Sequence, residues 1–147
     1  MKLILSVRTR PGQRQPELPL SRPELTTLIA RILKILGLER AELSLTIIDD
    51  HGIELLNRHY LNCEGPTNIL SFPEADPARP ESLGELFLSA ETLAREAFLY
   101  GQDPVRHLAR LLAHGILHLA GFNHGPEMDA HTDRAVAAAC PDRGAGN

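Results

Sequence analysis

The chain has 147 residues, 43% of them hydrophobic, and a net charge of −4, which suits one domain around one core and offers no bulk positive charge for nucleic acid. No apolar run approaches the roughly 18–20 residues of a membrane span, and the opening run of Leu3, Ile4 and Leu5 is too short for a signal peptide. The two cysteines, Cys63 and Cys140, lack metal or redox spacing and predict free thiols in a reducing, cytoplasmic compartment.

The charge is uneven. Residues 1–40 hold eight Lys or Arg against three acids, and the remainder holds seven against sixteen. Arg8, Arg10 and Arg14 form a basic segment able to meet phosphates, although solvated surface charge is the simpler account of such a cluster.

Residues 1–7 read as a strand. Residues 9–20, with Pro11, Gly12, Pro16 and Pro19, read as a loop. Ser21 followed by Glu24 is a capping box, and Leu25, Leu28, Ile29, Ile32, Leu33 and Leu36 recur at helical spacing until Gly37 closes the helix. Residues 42–48 read as a strand with Leu43, Leu45 and Ile47 on one side. Asp49 and Asp50 then offer a cap for a helix over 52–61, a better account of the pair than catalytic carboxylates.

A loop over 62–66 leads to a strand over 67–72, then to a proline-rich loop over 73–82. A short strand follows over 83–88, where Gly84 tolerates close approach of another backbone. Ser89 caps a helix over 90–100 that Gly101 ends. Asp103 and Pro104, a cap with proline at the first helical position, launch a long helix to Ala120. Its apolar residues occupy nearly all sides after Arg110, so it belongs at the centre of the fold. A last helix covers 127–139. These elements predict an α+β domain with a mixed sheet of about four strands and about five helices.

The central helix carries the chemistry. His114, His118 and His124 stand at H-x3-H-x5-H spacing. Four residues advance a helix by about 400°, so His114 and His118 project from one face, one turn apart. Gly121 can end the helix and return the chain with His124 as a third nitrogen ligand. Three ligands leave a tetrahedral position open for water, the arrangement of a catalytic zinc site. Residues 111–122 contain no charged side chain. Two buried imidazoles there need partners, and a metal supplies them. His107 lies about 10.5 Å further back along the axis, too far to share the ion, and is expected at the surface or the substrate edge. His131 is expected at the surface.

The spacing matches the zinc-peptidase pattern H-E-x-x-H-x-x-G-x-x-H except that Gly115 stands where the pattern requires its general base. Metal-assisted hydrolysis stays open, whereas peptide hydrolysis by this motif is disfavoured.

The run H-G-x-L-H-L-x-G-x-x-H resembles the signature of the YbeY family, bacterial zinc-dependent endoribonucleases of ribosomal RNA maturation. A second segment is also similar: Leu56, Asn57 and Tyr60 of L-N-x-x-Y, then Pro66-Thr67-Asn68-Ile69-Leu70-Ser71-Phe72. The resemblance spans about Leu43 to Asp133. It implies a single-strand-specific endoribonuclease acting in maturation of the 3′ end of 16S rRNA and in ribosome assembly. One zinc ion per chain would be held by His114, His118 and His124 with its water as the catalytic group. Partners would be single-stranded or ribosomal RNA, the small ribosomal subunit and its assembly factors, with no membrane. Arg58, Asn68 and Ser71 are candidate substrate contacts. Two positions depart from the family: Leu61 replaces a frequent Arg, and Asn123 replaces an Asp able to orient a ligand. No protein general base is assigned. Attack by water or by the RNA 2′-hydroxyl stays open. The alternative is an assembly factor whose zinc is mainly structural.

Overall fold

The computed structural model describes residues 1–14, 17–61 and 67–141. Its elements run β1 (Lys2–Val7), α1 (Arg22–Ile35), β2 (Glu42–Ile48), α2 (Asp50–Leu61), β3 (Ile69–Pro73), β4 (Ser82–Ser89), α3 (Ala90–Leu99), α4 (Pro104–Leu119) and α5 (Pro126–Ala139). The predicted α+β class holds, with four strands in one mixed sheet and five helices. The expected loop over 62–66 lies outside the described residues.

The strand order is β1-β2-β4-β3. β1, β2 and β4 run parallel, while β3 pairs antiparallel with β4 alone and forms one edge. Side chains alternate between the two faces. Leu43, Leu45, Ile47, Leu86 and Leu88 pack with α1, α4 and α5 in the main core. Ile48, Leu70 and Phe87 face the other way, against Ile53 and Leu56 of α2. Ile29, Ile32, Leu33, Leu45, Leu108 and Leu112 are fully buried, each worth about 1.5–3 kcal/mol relative to exposure.

Local chemistry sets the helix ends. The Ser21 hydroxyl accepts from the Glu24 N–H, and the Glu24 carboxylate accepts from the Ser21 N–H. Asp103 accepts from the Arg106 N–H at 2.9 Å. Asp49 caps α2, accepting from the Gly52 N–H at 2.8 Å. The Asp49 carboxyl sits below its usual pKa because the Gly52 N–H and Arg10 outweigh the opposing effect of burial. α2 therefore starts at Asp50, two residues earlier than its apolar spacing predicts.

Asp50 also does more than turn the chain. Its carboxylate accepts from the Ser89 hydroxyl at 2.5 Å, the Thr92 hydroxyl at 2.6 Å and Arg95 at 3.0 Å. Burial opposes ionisation, but these three donors prevail and lower its pKa. The start of α2 is thereby tied to the start of α3.

At the β3–β4 join, Gly84 has φ +126°. A Cβ there would stand 2.2 Å from the Phe72 carbonyl oxygen, so only glycine fits. The close approach expected at this residue is a backbone contact that holds the end of β3 against β4.

Candidate metal centre and cleft

α4 brings His114 and His118 to the same end of the sheet. Their Nε2 atoms are 3.1 Å apart. The helix ends in a Schellman turn: the Gly121 N–H bonds the His118 carbonyl and the Phe122 N–H bonds the Leu117 carbonyl, both at 3.0 Å. Gly121 takes φ +98° there, which glycine adopts without strain. The turn returns His124, and one nitrogen from each of the three rings lies within 4.8 Å of the others.

The donor set fits a metal ion. Nitrogens at about 2.0–2.1 Å from a tetrahedral centre lie about 3.3 Å from one another, close to the Nε2 separation found. The His118 Nδ1 lies 3.2 Å from the Phe122 carbonyl. A carbonyl only accepts, so Nδ1 carries the proton and the Nε2 lone pair faces the other imidazoles. His114 is held below the usual imidazole pKa, by burial first and then by His118 and His124, with Asp129 opposing. It is therefore neutral near pH 7 and available as a ligand. Among the described residues, no Cys, Asp or Glu joins this group. Cys140 is buried in the main core, and Cys63 lies outside the described residues.

Gly115 faces the sheet. A Cβ on it would stand 2.9 Å from both Ile69 Cδ1 and Leu86 Cδ2. Glycine here lets α4 pack closely on β3 and β4, and a larger side chain would have to displace the terminal methyls of Ile69 and Leu86.

A cleft of about 510 Å³ opens beside the imidazoles, lined by 67–71, Pro73, His114, His118 and 121–124. Its two walls are the edge strand β3 and the end of α4 with its turn. A slightly larger hollow lies between α3 and Pro19, but among the described residues it contains no converging ligand set.

The candidate substrate residues divide. Ser71 lines the cleft and donates its hydroxyl to the Gly115 carbonyl at 3.2 Å. Asn68 also lines it, with its carboxamide engaged by the Glu96 carboxylate at 3.2 Å and the Ile69 N–H at 2.7 Å. Arg58 is not brought to the cleft. It lies on α2, paired with Glu54 at 2.7 Å, while α2 packs on the opposite face of the sheet. Asn123 is exposed and makes no hydrogen bond to a described residue. The Leu61 side chain lies outside the described residues.

His107 is a correction. It is 7% exposed, with Nε2 3.0 Å from Glu96, because α3 packs over the face of α4 that was expected to meet solvent. Glu96 joins Asn68 at the start of β3 to His107 on α4. No spacing rule reveals this tie, since its members lie on three elements. The His118–Phe122 bond was more accessible, because a glycine-terminated helix predicts where the next carbonyl turns. His131 is half-buried, its ring 5.2 Å from that of Phe122 behind the turn, and is not among the converging nitrogens.

Three imidazoles brought together by α4 and its closing turn beside an open cleft form a donor set that could hold a metal ion. The family model described as Endoribonuclease YbeY matches residues 12–137. The chain is 41% identical to the Endoribonuclease YbeY of Oleidesulfovibrio alaskensis, over 92% of each chain. It is 43% identical to that of Nitratidesulfovibrio vulgaris, over 86% of this chain and 89% of the other. The solution structure of TM1509 from Thermotoga maritima superposes with a TM-score of 0.66 at 18% identity, over 95% of this chain and 90% of that one, a likeness of fold. The chain belongs to the YbeY family.

Proposed function

We propose that this protein is a zinc-dependent endoribonuclease that cleaves single-stranded RNA during maturation of the 3′ end of 16S rRNA, in the cytoplasm and in contact with the small ribosomal subunit and its assembly factors. The observation that carries the chemistry is the convergence of His114, His118 and His124 within 4.8 Å at an open cleft. Family membership supports RNA as the substrate.

Zinc at these residues would supply Lewis-acid stabilisation of charge developing on a phosphoryl oxygen. Three neutral ligands leave the full charge of the ion facing an anionic diester. Phe122 fixes the His118 tautomer, which keeps Nε2 unprotonated and aimed at the cleft. The Ser71 hydroxyl bridges the two walls by its bond to Gly115. Gly115 carries no side chain, so no general base comes from the position beside His114. Among the described residues, no helix is long and apolar enough to cross a membrane.

The test is cleavage of a single-stranded oligoribonucleotide by zinc-loaded and chelated protein, with His114→Ala as a folded control. Zinc-dependent cleavage lost in the variant is the expected result. One tightly bound zinc per chain without cleavage, in the presence of small ribosomal subunits as well as in their absence, would refute the nuclease and favour a structural ion.

A further inference from the structure

β3 is an edge strand, and its unpaired side forms one wall of the cleft. In an antiparallel pair, successive residues point their backbone groups alternately toward the partner and away from it. The Ser89 N–H bonds the Asn68 carbonyl and the Glu74 N–H bonds the Leu83 carbonyl. With Ile69 opposite Leu88 and Ser71 opposite Leu86, residues 68, 70, 72 and 74 face β4. The backbone groups of Ile69, Ser71 and Pro73 face the cleft.

These three residues carry few donors. The Ile69 N–H is taken at 2.7 Å by the Asn68 side-chain oxygen. Pro73 has no N–H. The Ser71 N–H is left, with no hydrogen-bond partner among the described residues. The same residue is fastened to α4 through its hydroxyl, which bonds the carbonyl of Gly115, the neighbour of His114. Its N–H is thus held in register with the imidazoles.

We propose that the Ser71 backbone N–H binds a non-bridging oxygen of the scissile phosphodiester at the metal centre. This rests on the nuclease reading above. A lone donor beside a cationic site suits one anionic oxygen. An extended peptide would need a row of alternating donors and acceptors to add as a strand, and Asn68 and Pro73 interrupt that row on both sides. Of the two occupants an edge strand can take, the phosphodiester is the one this edge fits.

Two measurements test it. In the first, zinc-loaded ¹⁵N-labelled protein is titrated with a 2′-O-methyl hexaribonucleotide. The Ser71 amide proton should shift more than those of Ile69, Leu70 and Phe72. An unmoved Ser71 amide at saturating oligonucleotide overturns the proposal, as does a larger shift on adding an unstructured hexapeptide instead. In the second, Ser71→Pro removes the N–H at an outward edge position where proline is tolerated, and Ser71→Ala removes only the hydroxyl. Ser71→Pro should lower kcat about 10²–10³-fold relative to Ser71→Ala, the loss typical of one oxyanion donor, with KM changed less than about threefold and bound zinc unchanged. Equal rates in the two folded, zinc-loaded variants overturn it. Should Ser71→Pro fail to fold, the amide titration decides alone. Absence of cleavage by the unsubstituted protein refutes the nuclease itself, whereas cleavage with an unmoved Ser71 amide refutes only this contact.

Discussion

Replacing Gly84 by alanine tests the claim that a backbone contact holds the cleft's outer wall. The added Cβ would stand 2.2 Å from the Phe72 carbonyl oxygen, 2.7 Å from the Glu74 nitrogen and 2.9 Å from the Pro73 carbonyl carbon. None of these can rotate aside. β3 must retreat by about 0.8 Å before the worst contact reaches 3.0 Å, and close-packed interiors resist such a shift. The φ of +126° costs alanine about 1–3 kcal/mol. Losing the 3.0 Å bond from the Glu74 N–H to the Leu83 carbonyl adds about 1 kcal/mol. The expected destabilisation is therefore about 2–4 kcal/mol, a fall in Tm of roughly 4–16 °C for a chain of this length. Gly37→Ala is the control. It shares a positive φ, +74°, but its Cβ would meet nothing within 4 Å, so it should cost only about 1–2 kcal/mol. Chemical denaturation of both variants, with zinc bound and removed, separates strain from collision. A Gly84→Ala loss no larger than that of Gly37→Ala would refute the contact as the reason for glycine.

Excess zinc at about 100 times its Kd should stabilise the protein by about 2.7 kcal/mol, and alanine at His114, His118 or His124 should abolish that gain in thermal melts. Zinc affinity should fall on acidification, because protons compete for the imidazoles; chelator competition that is flat from about pH 8 to 5 would exclude histidine ligands. His114 has a lowered pKa in the folded chain, so the unfolded chain takes up its proton first. The metal-free protein should lose stability as pH falls through about 6.5, until the folded value is passed, and His114→Gln should remove that part of the loss in urea titrations. Asp50 behaves in the opposite range: its lowered pKa stabilises the fold above the unfolded value of 3.8, and this is lost as pH falls through the folded value. Asp50→Ala should cost about 2–4 kcal/mol at pH 7, leaving the fully buried Ser89 hydroxyl without its acceptor, and the gap from the unsubstituted protein should narrow at pH 3.

Features encoded within a few residues were legible in the sequence. The Ser21 box, the Asp103-Pro104 start and the glycine stops at Gly37, Gly101 and Gly121 depend on neighbours, and so do the ligand spacings 114, 118 and 124. Features that depend on which elements meet were not. Placing β4 between β2 and β3 follows from long-range pairing that periodicity does not encode. His107 looked like a surface residue because α3 is invisible from the pattern of α4. Arg58 was a reasonable phosphate ligand by composition, yet α2 lies on the sheet's other face and Glu54 is one turn away. Ser71 stands out by its side chain, whereas the proposed ligand contact is its main-chain N–H, which has no partner among the described residues and which no residue type advertises.

The ligand histidines lie within eleven consecutive residues, on one helix and its closing turn. The opposite wall is set in register by pairing between β3 and β4, and β4 in turn is held by β2 across a separation of about forty residues. Metal capture and substrate capture thus draw on different parts of the folding process. On the proposed reading, a chain that has assembled its helix but misplaced its edge strand would carry its metal and still be inert. Metal content would then be a poor gauge of the active fraction, and preparations of equal metal stoichiometry would differ widely in turnover.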